Sequence, residues 1–296
     1  MYDWSKMKKF KILIPVYNDW ESLFKLLEDI NKIVSSIKDC DFSCVVINDC
    51  STIEIPEIKV PSNISSLKLI NMKKNKGHAR CNAFGIRYLA KNNDFDYLIV
   101  MDGDGEDRPE EIKALVEKIF SDPGNSVVAK RIKRSEGVFF QFLYQLHKII
   151  TIIFTGKNIN FGNYSCLTKN DIKILSDKHG LWSSFSGSVK KHILNLNSVN
   201  SVRGLRYFGP SKMSLLQLIV HSFAIIAVFK ETVFLRSAIL IIIFSYLSLK
   251  GSLIFITFQV LLVIFNLLIY SVSLRENKVE FLNSEVDVGN VNNYTH

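Results

Sequence analysis

Apolar positions follow two alternating periods through the first part of the chain. Residues 11–16, 43–49 and 67–72 are short, mostly apolar runs bounded by polar or turn-forming residues, the pattern of buried strands. Residues 20–37 and 79–91 instead space their apolar side chains three and four apart, as amphipathic helices do. A fourth run, 97–101, stops abruptly at Asp102-Gly103-Asp104-Gly105-Glu106, and a further helix is expected to start near Pro109. Strands alternating with helices predict parallel βαβ units and an α/β, doubly wound sheet. Right-handed crossovers then bring the carboxyl ends of the strands to one rim, where open sheets bind ligands. That rim should collect Pro15, Tyr17 and Asn18, then Asp49, then Asp102 with Asp104.

Beyond Pro210 the pattern changes. Residues 215–229 are apolar with few breaks, 232–249 are apolar except for Arg236, and 252–274 carry no charge. The last run exceeds the roughly 20 residues that cross a bilayer as a helix. With the turn at Lys250-Gly251, the second and third runs read as a transmembrane hairpin, while the first is too short to span and reads as an interfacial helix. The expected division is an α/β domain over 1–210, a juxtamembrane segment over 211–231, two spanning helices within 232–274, and a polar, disordered tail over 275–296. Lys212, Lys230, Arg236 and Arg275 place positive charge on the side expected to be cytoplasmic. Residues 1–11 lack the apolar core of a signal peptide, which predicts a cytosolic first domain with both termini on that side.

Composition sharpens this picture at two places. The net charge of +9 is uneven, with acidic residues at 102–107 and a basic run at Lys130, Arg131, Lys133 and Arg134. No nucleic-acid-binding motif accompanies the basic residues, so an anionic substrate or lipid headgroup is the better partner. Cys40, Cys44, Cys50, Cys81 and Cys166 form no C-x-x-C pair and read as reduced thiols. If 102–106 stays extended, Asp102, Asp104 and Glu106 share one side and repel unless a cation joins them. Oxygen ligands alone suit Mg²⁺ or Mn²⁺, which also takes oxygens from a phosphorylated substrate. A solvated acidic turn capping the helix near Pro109 is the competing reading.

Taken together, Ile14-Pro15-Val16-Tyr17-Asn18, Val46-Ile47-Asn48-Asp49-Cys50-Ser51, Asn75-Lys76-Gly77-His78-Ala79-Arg80, the acidic stretch 102–110, Arg131 with Arg134, and Arg206-Tyr207-Phe208-Gly209-Pro210-Ser211-Lys212 carry a resemblance in their order and spacing. The chain resembles the family 2 glycosyltransferases of GT-A fold, and within them the polyprenyl-phosphate glycosyltransferases related to dolichol-phosphate mannosyltransferases. The resemblance implies that Pro15, Tyr17, Asn18, Asp49, Gly77, Arg80 and Asp102 bind a nucleotide-sugar donor. Asp102 and Asp104 match the family's D-x-D pair, and Glu106 stands where relatives commonly carry a glutamine, giving an implied metal set of Asp102, Asp104 and Glu106. Arg131 and Arg134 match residues facing the donor diphosphate and the lipid phosphate, and Arg206, Ser211 and Lys212 match an acceptor-phosphate element. Gly162-Asn163-Tyr164-Ser165 partly matches a short acceptor-side motif.

The implied activity is inverting transfer of a sugar from a nucleotide diphosphate to a polyprenyl phosphate, with Asp102, Asp104 and Arg131 at the reaction centre. The acceptor phosphate is already anionic and needs no strong base, consistent with the lack of a serine or histidine nucleophile constellation. His78 as a catalytic base is weighed against a binding or structural role. Two rival readings keep part of this: transfer to a hydroxyl of a membrane glycolipid or saccharide, and a non-catalytic scaffold that binds nucleotide sugars. Helix-mediated homo-oligomerisation is also open.

Overall fold

The computed structural model describes residues 7–91, 94–133, 138–210, 214–249 and 253–296, so Arg134, Ser211 and Lys212 lie outside the described residues. The elements in chain order are β1 (Lys8–Val16), α1 (Trp20–Val34), β2 (Cys40–Asn48), β3 (Leu67–Met72), α2 (His78–Ala90), β4 (Tyr97–Val100), α3 (Ile112–Ser121), β5 (Ser126–Lys133), α4 (Val138–Thr155), β6 (Phe161–Thr168), α5 (Lys169–Ser176), α6 (Phe185–His192), β7 (Leu196–Val202), α7 (Leu215–Ala227), α8 (Lys230–Ser248), α9 (Leu253–Ser273), α10 (Lys278–Leu282) and β8 (Val288–Tyr294).

One sheet orders these strands β7-β5-β6-β4-β1-β2-β3-β8. The β4-β1-β2-β3 centre is parallel throughout, as the βαβ pattern predicts. Its strands are apolar on both faces because successive side chains enter opposite cores. Leu13, Val45, Ile47 and Ile70 pack with Phe84 and Ile86 of α2, whereas Ile12, Ile14, Val46 and Leu69 pack with Leu23 and Leu26 of α1 and Leu115 of α3. Outside this centre, β6 runs antiparallel between β4 and β5, and β8 runs antiparallel along β3.

Register positions the rim. Val16 pairs with Asn48, which levels the ends of β1 and β2, while Leu13 pairs with Val100. The chain after β4 therefore runs beside the last residues of β1, and a Cβ on Gly103 would lie 3.0 Å from the Pro15 carbonyl oxygen. β4 closes two residues before Asp102, so the carboxylates sit in the loop beyond the strand.

Two findings correct the sequence expectations. The tail is ordered: Phe281 of α10 is fully buried in the core, and β8 pairs with β3 from Leu67↔Tyr294 to Met72↔Val288. Its polar composition is that of an edge strand with one half-covered face, not of a chain unable to fold. The segment 102–106 does not stay extended, because Gly105 takes φ +87 and turns the chain. At the C-terminal end, α8 and α9 pack against each other and are long and apolar enough to cross a membrane. α7 is shorter, capped by a reciprocal Ser214–Gln217 capping box, with Leu215 and Leu216 exposed and Ala224, Ile226 and Ala227 buried.

Candidate active site

The rim gathers three loops. After β1, Asn18 takes φ 50 and spends its side-chain amide on the β2 exit, accepting from Thr52 N at 2.8 Å and Ile53 N at 3.1 Å. Asn18 thus ties two rim loops together, while Tyr17 beside it remains 40% exposed. After β2, Asp49 is 3% exposed and accepts from the Lys76 amide at 2.6 Å and the Gly77 amide at 2.8 Å. Burial raises its pKa against the lowering effect of these amides. Gly77 caps α2 at φ +87, where a Cβ would meet nothing, so glycine serves there for its backbone alone. Arg80, one turn into α2, lies over the Trp182 ring at 5.7 Å.

After β4, each carboxylate has its own partners. Asp102 Oδ1 lies 2.9 Å from His78 Nε2 and accepts from Asn163 Nδ2 at 3.1 Å. Burial alone would raise the Asp102 pKa, but His78, Asn163 and Arg131 outweigh it and hold this carboxyl well below the usual range. Conversely, partial burial opposes protonation of His78, and Asp102 more than offsets it, raising the imidazole pKa. Asp104 accepts from the Glu106 amide at 3.0 Å and from Arg206 Nη1 at 2.6 Å. Burial and the Asp102 charge push its pKa up to about 6. Asp107, 5% exposed, accepts from the Asp102 amide at 2.9 Å and is pushed up to about 8 by burial and Asp102.

A strap from the far side of the sheet closes this loop. Following β7, Arg203 pairs with Glu106, Gly204 N donates to the Glu106 carbonyl at 2.8 Å, and Tyr207 N donates to the Asp104 carbonyl at 3.0 Å. Arg206 bridges Asp104 and Asp19 through its two terminal nitrogens, leaving Nε buried without a partner. Close approach needs glycine on both sides: a Cβ on Gly204 would fall 2.7 Å from the Gly105 carbonyl, and one on Gly105 would fall 2.5 Å from the Tyr207 ring.

The structure therefore brings together Asp102, Asp104, His78, Asn163 and Arg206, with Arg131 close enough to Asp102 and Asp107 to act on both electrostatically. Gly162 leaves room for the Arg131 guanidinium, 2.6 Å from where its Cβ would sit. The structure does not assemble Asp102, Asp104 and Glu106 into one ligand set, because the turn at Gly105 delivers Glu106 to Arg203; among the described residues no three His, Cys, Asp or Glu side chains form such a group. The donor chemistry still fits a hard divalent ion: Asp102 and Asp104 would hold it through carboxylate oxygens, and its charge would relieve the repulsion that raises Asp104 and Asp107. Sequence reasoning missed Arg203, which pairs with Glu106, and Asp19, which pairs with Arg206. The sequence signal for the strap was the Arg206–Lys212 element, which left Arg203 outside it.

Comparison with known proteins bears on the family and the fold. The chain is 28% identical over 173 residues to an undecaprenyl-phosphate 4-deoxy-4-formamido-L-arabinose transferase of Salmonella choleraesuis (strain SC-B67), an alignment covering 57% of this chain and 50% of that protein. The chain thus spans about half the length of the curated relatives it matches. Glucosyl-3-phosphoglycerate synthase of Mycobacterium tuberculosis, solved with Mn²⁺, UDP-glucose and phosphoglyceric acid, superposes with a TM-score of 0.51 at 14% identity, covering 76% of this chain and 80% of that one. This likeness marks the fold as GT-A. The description of glycosyl transferase family 2 matches residues 11–183, more than half of the sequence. On that match, laid over a parallel sheet whose rim carries the buried Asp49 and the Asp102–Asp104 loop, the chain belongs to glycosyl transferase family 2.

Proposed function

We propose that this glycosyltransferase is membrane-anchored and moves a sugar, with inversion, from a nucleotide diphosphate to a polyprenyl phosphate at the cytosolic face. The observation that carries the reading is the Asp102–Asp104 loop at the rim, with Arg206 bonded to Asp104 and Arg131 acting on Asp102, in a chain that also carries two helices long and apolar enough to span a bilayer. The undecaprenyl-phosphate acceptor in the name of the Salmonella relative supports the acceptor class.

In this reading Pro15, Tyr17, Asp49 and Gly77 line the nucleotide end of the cleft. Asp102 and Asp104 would hold Mg²⁺ or Mn²⁺, which when bound would supply Lewis-acid neutralisation of the departing diphosphate. Arg131, with Arg134, offers forked donors to phosphate oxygens. Arg206, Ser211 and Lys212 serve the acceptor phosphate, Arg206 exchanging its Asp104 contact for that anion. His78 and Asn163, which both meet Asp102 Oδ1, orient that carboxylate. β8 follows the hairpin yet pairs with β3 of the catalytic domain, which supports two spans with both hairpin ends on one side of the membrane. Exposed Phe142, Leu146, Ile149 and Ile153 recur three and four apart on α4, next to α8, where Arg236 Nη1 donates to the Ile153 carbonyl at 2.7 Å. That row supports contact between the catalytic domain and the bilayer surface.

The test is transfer of radiolabel from a panel of nucleotide sugars to undecaprenyl phosphate in detergent with Mg²⁺ or Mn²⁺. A labelled, acid-labile lipid that disappears with EDTA and in Asp104→Ala is the expected result. Labelling of a saccharide hydroxyl with none on the polyprenyl phosphate overturns the acceptor class.

A further inference from the structure

The tail after the membrane hairpin reaches back to the loop that precedes α2. Lys76 Nζ lies 2.7 Å from Glu280 Oε1 of α10 and 2.8 Å from Asp287 Oδ2, and only 13% of its side chain is exposed. The second Glu280 oxygen accepts from Trp182 Nε1 at 3.3 Å, at the edge of the ring over which Arg80 lies. Two residues before the loop, Lys73 N donates to the Asp287 carbonyl at 2.7 Å and Lys73 Nζ to the Val286 carbonyl at 3.0 Å. The tail is itself firmly seated: Phe281 is fully buried with Arg87 stacked 4.4 Å from its ring centroid, and β8 completes the edge of the sheet.

What this tail grips is the segment whose backbone fills Asp49. The Lys76 and Gly77 amides both donate to that carboxylate, and the next residue, His78, meets Asp102. A path of direct contacts thus leads from Asp287 and Glu280 through Lys76 to the two aspartates at the rim. Gly77, at φ +87 with open space around it, has no side chain to hold the turn in place, so its order must come from neighbours.

We propose that the C-terminal tail is a clasp for the donor-binding loop, in which Glu280 and Asp287 act through Lys76 as positioning residues. The proposal rests on the reading that Asp49 and residues 75–80 receive the nucleotide of the donor. Two carboxylates converging on one largely buried ammonium fix the loop before the ligand arrives, so ordering is not charged against binding. The anchor and the catalytic domain are thereby joined twice, through α7 before the hairpin and through α10 and β8 after it.

The full chain in detergent is titrated calorimetrically with UDP, GDP, ADP and CDP in Mn²⁺, and the amides of residues 73–80 are followed by hydrogen exchange. In Lys76→Met and in the double variant Glu280→Gln/Asp287→Asn, nucleotide binding is expected to weaken about tenfold, as when partly buried ion pairs that order a loop are lost. Lys76 and Gly77 amide exchange is expected to quicken about tenfold while β3 stays protected. Lys76→Arg restores most of both. Lys91→Ala, which removes the exposed Lys91–Glu285 pair of the same tail, changes neither. Unchanged exchange and binding in the double variant overturn the clasp. A wild-type chain that binds no nucleotide, while the double variant still speeds loop exchange, overturns the donor-site reading and leaves the clasp supported.

Discussion

Asp107→Asn isolates the electrostatic strain of the rim. Asp107 is 5% exposed, and burial with the nearby Asp102 charge pushes its pKa from 3.8 up to about 8, against the lowering pull of Arg131. Between those values the unfolded carboxyl has released its proton while the folded one retains it, so the folded state binds more protons. Stability is greatest below the unfolded pKa and is lost as pH rises toward the folded one, by at most about 1.4 kcal/mol per pH unit. From pH 5.5 to 7.5 the full effect is about 3 kcal/mol; Asp102 and Asp104 share the same charge field, which brings the Asp107 part to about 1–3 kcal/mol. Asparagine is neutral at both pH values and keeps an oxygen for the Asp102 amide, which donates to Asp107 at 2.9 Å. Denaturant unfolding followed by near-ultraviolet circular dichroism, in detergent with EDTA, is therefore expected to show the variant gaining on the wild type as pH rises. Parallel pH profiles for the two proteins refute the reasoning.

Two further outcomes follow from packing. Phe281→Ala empties a fully buried position between Arg87 and Trp182 and is expected to cost about 3–5 kcal/mol, read as a lowered unfolding midpoint that accompanies protease sensitivity of the tail. Gly204→Ala drives a Cβ to within 2.7 Å of the Gly105 carbonyl and is expected to cost about 1–3 kcal/mol and to lower glycosyl transfer by displacing the strap, whereas Gly124→Ala, which meets open space, leaves transfer unchanged.

The interior of this protein is written locally, and its closure is not. Runs such as 67–72 and 20–34 were legible because a strand buried on both faces must be continuously apolar and a helix over a sheet must be apolar on one stripe. The acidic stretch marked the rim for the same reason, since an apolar strand that ends in carboxylates must end at solvent or at a ligand. Only the tertiary structure decided how those carboxylates are satisfied. Arg203 meets Glu106 and Arg206 meets Asp104 across about a hundred residues of chain, and Lys76 meets Glu280 across 204. Pairs so distant leave no period in the sequence. The tail shows the limit most clearly: Asn290, Asn292 and Asn293 read as a disordered terminus because an edge strand buries little, yet the unpaired backbone of β3 is the template that orders them. Hydrophobic pattern determined which segments fold; the backbone and charged groups left unpaired by that folding determined where the remaining segments bind.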